Sequence, residues 1–141
     1  MISVQEALEQ VLSGIELLSG EQVSLTQALG RVLAKDVSSR VSHPPAAVSA
    51  MDGYAVISAD VAEVPATLER IGESAAGQGF GSAIGPGQCV RIFTGAPVPD
   101  GADAIVMQED ADAHENKVTC KEKAVPGRHI RPQGLDVKAG E

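Results

Sequence analysis

All 8 prolines of this 141-residue chain fall at or after Pro44, and 12 of its 15 glycines (all but Gly14, Gly20 and Gly30) fall after residue 50. Proline lacks an amide donor and fixes φ, while glycine admits positive φ, so a stretch rich in both cannot sustain long helices. It breaks instead into short segments joined by turns. The proline-free start reads differently. Val4, Ala7, Leu8, Val11, Leu12 and Ile15 recur at helical spacing behind Ser3 and Glu6, a capping-box pair. Ser24 and Gln27 repeat that pattern ahead of Ala28 and Leu29, with Gly30 placed to close a short second helix. Past the change in character, strand-like runs at 54–57, 66–71, 89–93, 104–108 and 117–120 alternate with turn residues at Gly85-Pro86-Gly87, Pro99-Asp100-Gly101 and His114 to Asn116. The expected fold class is α+β, mostly β: a helical N-terminal segment over 1–41, then a small β-barrel or β-roll over 42–141. Residues 1–41 are too few and too one-sided to bury their own apolar face. They are expected to pack on the β unit or on protein that this chain does not contain.

Composition narrows the function classes. Aromatic residues make up 2% of the chain (Tyr54, Phe80 and Phe93), so the core has to be assembled from Val, Ile, Leu and Ala. Stacking platforms for bases are nearly absent. Lys and Arg number 11 against 19 Asp and Glu, a net charge of −8, which disfavours nucleic acid or an anionic membrane surface as a partner of the whole chain. The charge is uneven, however: residues 1–30 contain no Lys or Arg, whereas Lys117, Lys121, Lys123, Arg128, Arg131 and Lys138 face only Glu122 and Asp136 within 117–138. A small anionic ligand fits there. Glu6 and Glu9 stand where a basic signal region would be, and no apolar run approaches about 20 residues. Cys89 and Cys120 lie far apart in no metal or redox spacing and are expected as reduced thiols, in keeping with a cytoplasmic protein.

Several familiar chemistries are excluded. No G-x-x-x-x-G-K-[ST] occurs, and Gly77, Gly79 and Gly81 fail the dinucleotide pattern because Ser82 and Ile84 stand where its third glycine is needed. Glu109, Asp110 and Asp112 open like a calcium loop, but Glu115 replaces the turn glycine and Lys121 the bidentate glutamate, so this run reads as a solvated hairpin edge. His43, His114 and His129 have no ligand spacing. In "SAMDGYAV" (49–56), Asp52-Gly53 between apolar stretches is a strong hairpin signal, although a neutral residue would serve such a turn as well as Asp52 does.

Three stretches in register, "PPAAVSAMDGYAV" (44–56), "RIFTGAPVPDGADAIVMQED" (91–110) and "GRHIRPQGLDVKAGE" (127–141), supported by "LTQALGRVLAKDV" (25–37) and "GESAAGQ" (72–78), resemble the molybdopterin molybdotransferase family, which includes bacterial MoeA and the E domain of gephyrin. The resemblance covers essentially the whole chain. It implies an enzyme that uses molybdate to replace AMP on adenylylated molybdopterin, assisted by magnesium, as an elongated homodimer whose β-rich second domain helps form the active-site cleft. It also implies that this chain is an N-terminal piece, its helices normally packed on an α/β body that follows. A non-catalytic scaffold of the same fold, as in the gephyrin branch, is the alternative.

The resemblance casts Asp52 and Asp136 as magnesium or catalytic carboxylates, Thr94 and Gly95 as a cradle for a phosphate or molybdate oxygen, and Arg131 as a bidentate grip on an oxyanion. Two departures stand out. Ala46, Ala47 and Val48 occupy positions where the family commonly carries an aromatic, an acidic and a polar residue, and Leu135 precedes Asp136 where an acidic residue is usual.

Overall fold

The computed structural model describes residues 2–16 and 18–141. Contacts divide the chain into two units, Met1–Val37 and Ser38–Glu141. In the first, helix α1 (Val4–Leu12) starts where the sequence places it. The Glu6 amide donates to Ser3 Oγ at 3.2 Å and the Ser3 amide to the Glu6 carboxylate at 2.7 Å, satisfying two of the orphan donors of the first turn. No residue of α1 is buried, and Val4, Leu8, Val11 and Ile15 lie exposed. The expected second helix shrinks to a 3-10 turn, Leu25–Gln27. Ser24 Oγ donates to the Gln27 side chain and pairs with the Thr26 hydroxyl instead of accepting from a backbone amide, so this helix start is left uncapped. Gly30 follows with φ +79, as the end of a helical turn asks. No helix among the described residues is long and apolar enough to cross a membrane.

The second unit is a six-stranded sheet: β2 (Gly53–Val56), β3 (Ala66–Ser74), β4 (Gln88–Ile92), β5 (Ala104–Met107), β6 (Ala111–His114) and β7 (Lys117–Cys120) in spatial order β5-β2-β4-β3-β7-β6. Only β3 and β4 pair in parallel. β5 and β6 are the two edges of the sheet, yet three residues, Gln108–Asp110, join them. In a flat sheet five steps of about 4.8 Å would put these edges about 24 Å apart, more than the roughly 14 Å that so short a connection spans. The sheet therefore curls into a roll. Beside it, β1 (Val48–Ser49) pairs with β8 (Ile130–Arg131).

Both faces of the central strands are covered, which is why β2 reads as a continuous apolar run and not as an alternation. On one face Tyr54, Val56, Leu68, Cys89, Val106, Val118 and Cys120 form the main cluster; on the other Ala55, Ile92, Ala96 and Ile105 form a smaller one. Small β-branched residues do the work that aromatics do elsewhere, each fully buried Val or Ile contributing about 1.5–3 kcal/mol. Cys89 and Cys120 are free thiols inside this core. The acidic run at 109–112 lies at the edge, where Asp112 on β6 meets Lys121 at 2.9 Å.

Candidate active site

β2 and β4 run antiparallel with Gly53 opposite Ile92, so the residue before β2 and the residues after β4 meet at one end of the sheet. Those residues are Asp52, Phe93 and Thr94. Asp52 Oδ1 accepts from the Thr94 amide at 2.8 Å and from its hydroxyl at 2.7 Å. The Thr94 amide first and then its hydroxyl hold the Asp52 carboxyl below the usual range, against a smaller opposing effect of desolvation, with the Arg91 charge adding the least. Asp52 is thus an ionised carboxylate at neutral pH. Oδ2 takes no hydrogen bond from the described residues. Asp52 is half-buried and Thr94 exposed, so the free oxygen belongs to a surface site at the end of the sheet.

The Asp-Gly pair does not make a hairpin. β1 pairs with β8 and β2 with β4 and β5, and Gly53 does not use a positive φ. Glycine is required for a different reason: an added Cβ would lie 2.0 Å from the Val106 carbonyl oxygen across the β2–β5 pairing. Gly53 is therefore kept by close packing, while Asp52 ends the bend at 50–52 that leads from β1 into β2.

The expected oxyanion donors around Gly95 are engaged within the chain. The Thr94 amide and hydroxyl go to Asp52, the Gly95 amide to the Ser49 carbonyl at 2.9 Å, and the Ala96 amide to the Phe93 carbonyl at 2.9 Å. Gly95 itself adopts φ +81, the conformation that turns the chain after β4. The exchanges between Ser49 and residues 95–96 place β1 between this turn on one side and β8 on the other.

Across β1 lies the second pair. Arg131 on β8 is opposite Val48, and its guanidinium is ion-paired with Asp136 Oδ1. His43 Nε2 stands 3.6 Å from Asp136 Oδ2, and the Asp136 amide donates to the His43 carbonyl at 2.9 Å. The expected site residues therefore come together as two groups, Asp52 with Thr94 and Gly95, and Arg131 with Asp136, on either side of one short strand.

Sequence reasoning missed Arg91 and Gln108. Arg91 Nη1 donates to the Gly53 carbonyl at 3.0 Å and Nη2 to Gln108 Oε1 at 2.6 Å, and the Gln108 amide donates to the Asp52 carbonyl at 3.1 Å. The signal was present: an arginine inside the otherwise apolar run Cys89–Phe93, in step with both of those residues on one face of a strand.

The chain matches the MoeA N-terminal region (domain I and II) family over residues 2–141. It belongs to that family. Over 99% of its length this MoeA N-terminal region is 41% identical to molybdopterin molybdenumtransferase 2 of Mycobacterium tuberculosis, covering 36% of that protein. It is 34% identical to gephyrin of Dictyostelium discoideum, covering 22% of it. Its fold superposes on the molybdopterin biosynthesis moeA protein of Pyrococcus horikoshii with TM-score 0.86 at 34% identity, over 97% of this chain and 38% of the other. The chain spans about a third of the length of the molybdenumtransferases it matches.

Among the described residues of this MoeA N-terminal region, no three His, Cys, Asp or Glu side chains converge as a metal cluster. The donor set suits a cation that takes one carboxylate and completes its shell with water and substrate oxygens, as magnesium does. Asp52 fits, with one oxygen fixed by Thr94 and the other open. Asp136 fits only after its ion pair with Arg131 opens. Ala47 and Val48 keep backbone pairing, with the Ala47 carbonyl accepting from the Val98 amide at 3.0 Å and Val48 on β1, so the departure at these two positions is one of side chains alone.

Proposed function

We propose that this chain is the N-terminal part of a molybdopterin molybdotransferase and contributes one wall of the cleft in which molybdate replaces AMP on adenylylated molybdopterin. The observation that supports this most is the Asp52 carboxylate, ionised, held on one oxygen by Thr94 and open on the other. Both substrates are anionic, and a bare carboxylate would repel them unless it held a cation or handled a proton. A magnesium ion supplies charge neutralisation at the phosphate. Asp52 Oδ2 would hold it, or would orient a water, with Thr94 fixing the direction of the carboxylate.

Arg131 and Asp136 act here as an exchangeable pair: the guanidinium turns to a phosphate or molybdate oxygen, and the Asp136 carboxylate it releases becomes a second acceptor for the cation. Gly95 keeps side-chain bulk away from the ligand at the turn beside Thr94. Residues 1–41 pack their apolar face on the protein body that follows residues 42–141. The active form is a cytoplasmic homodimer with no nucleic-acid or membrane partner.

The test is Asp52→Asn in the full-length transferase carrying this chain. Molybdate-dependent AMP release is expected to fall at least about tenfold, a positioned acid, base or metal ligand being worth on the order of a hundredfold or more. The similarity to gephyrin gives the competing reading, a non-catalytic scaffold module. Unchanged turnover at an unchanged melting temperature would favour the scaffold and reject the catalytic assignment.

A further inference from the structure

Arg91 is a half-buried cation in a poor setting for one. It forms no ion pair with a carboxylate among the described residues and directs its fork to two neutral acceptors, the Gly53 carbonyl and Gln108 Oε1. Its guanidinium carbon lies 4.7 Å from the centre of the Phe93 ring and 5.3 Å from that of Tyr54, so two of the three aromatic residues in the chain flank it. Tyr54 is two residues past Asp52, and Phe93 directly precedes Thr94.

The two hydrogen-bonded arms converge on one place. The Gly53 carbonyl is the peptide oxygen next after Asp52, and Gln108, the other acceptor, gives its own amide to the Asp52 carbonyl at 3.1 Å. On the C-terminal side of the Asp52 Cα two successive peptide oxygens are therefore tied, that of Asp52 itself by Gln108 and that of Gly53 by Arg91, which also holds Gln108. The planar fork is the property that lets one side chain bridge the ends of β2 and β5 from β4.

We propose that Arg91, together with Gln108, is a positioning residue for Asp52: it fixes the strand ends on which the carboxylate and its partner Thr94 stand, and so fixes where Asp52 Oδ2 points. The proposal rests on the catalytic reading of Asp52. Lysine would keep a positive charge beside Tyr54 and Phe93 but could not hold both acceptors in one plane. Arg91→Lys thus separates orientation from charge.

In the full-length transferase, Arg91→Lys is expected to lower kcat for AMP release by about tenfold or more, since misplacement by an ångström costs up to about a hundredfold. KM for the pterin substrate and the melting temperature should stay close to the parent's. The half-activating magnesium concentration should rise, and excess magnesium should recover part of the rate, which a purely structural lesion would not allow. Gln108→Ala should repeat the pattern more weakly, and it decides the matter if Arg91→Lys does not fold. In an Asp52→Asn background, either change should cost less than about twofold, because groups acting through one residue are not additive. An unchanged kcat and magnesium dependence in both variants, or an equal loss with and without the Asp52 carboxylate, overturns the positioning role while leaving the assignment of Asp52 intact. If Asp52→Asn alone leaves turnover unchanged, the catalytic reading fails and this inference falls with it.

Discussion

Thr94 gives both of its donors, the amide at 2.8 Å and the hydroxyl at 2.7 Å, to a single oxygen of Asp52. A residue expected to grip a ligand oxyanion instead orients a carboxylate. The Thr94 hydroxyl proton is given to Asp52 Oδ1, which leaves Asp52 Oδ2 as the carboxylate oxygen without a hydrogen bond among the described residues.

Thr94→Val keeps the shape and the amide contact and removes one of the two bonds. The Asp52 carboxyl should move up toward its ordinary value, though not fully, because the amide contributes more than the hydroxyl. A carboxyl depressed in the folded state stabilises the fold above its unfolded value and loses that contribution as pH falls through the folded one. The parent should therefore resist acid to lower pH than Thr94→Val, a difference read from denaturant midpoints measured downward from pH 6. Identical acid limbs would mean that the hydroxyl bond does not persist in solution.

Gly53→Ala tests close approach of strands without touching the carboxylate. A Cβ 2.0 Å from the Val106 carbonyl oxygen forces β2 and β5 apart. Loss of about 1–3 kcal/mol or more is expected in urea unfolding, as for other overpacked sites. A change below about 0.5 kcal/mol would show that the β2–β5 register differs from the one described.

Asp136→Asn removes the partner of Arg131. Their side chains are about two-fifths exposed, so the pair should contribute no more than about 1 kcal/mol to stability. A melting temperature within a few degrees of the parent is expected, together with altered molybdate dependence of the full-length protein. A large stability loss would make the pair a structural tie and remove Arg131 from the list of ligand contacts.

Cys89 and Cys120 should resist thiol reagents in the folded chain. Burial, with the neighbouring thiol adding to it, pushes Cys89 up to about 12, and burial pushes Cys120 up to about 11. Neutral thiols stabilise the fold below the unfolded value, about 8.5, and that contribution is lost as pH rises toward the folded values. Labelling at pH 8 should be slow until denaturant is added, and stability should decline between about pH 9 and 12. Rapid labelling of the native chain would show that this face of the sheet opens readily.

The start of α1 was legible because a capping box is a local event: Ser3 and Glu6 satisfy each other within one turn, whatever lies around them. The strands at 89–93, 104–108 and 117–120 were legible from apolar runs between turn residues, their ends moving by a residue at most. Local pattern overreached at Ser24, whose hydroxyl found side-chain partners, and at Asp52-Gly53, whose hairpin signal is created by a steric demand from β5, more than 50 residues away in sequence. β1 and β8 were not legible at all, being two residues long with no period to detect.

The sequence by itself determined where helix gives way to strand and that Asp52, Thr94, Gly95, Arg131 and Asp136 belong among the functional candidates. Each of those follows from side-chain chemistry or from a motif contiguous along the chain. Only the tertiary structure decided which candidates act on one another. The antiparallel pairing of β2 with β4 brings Asp52 to Thr94 across 42 residues of sequence and sets Arg91 against the Gly53 carbonyl beside Asp52. A hydrogen bond is a relation between two positions in space, and no periodicity along the chain encodes which strand will lie beside which.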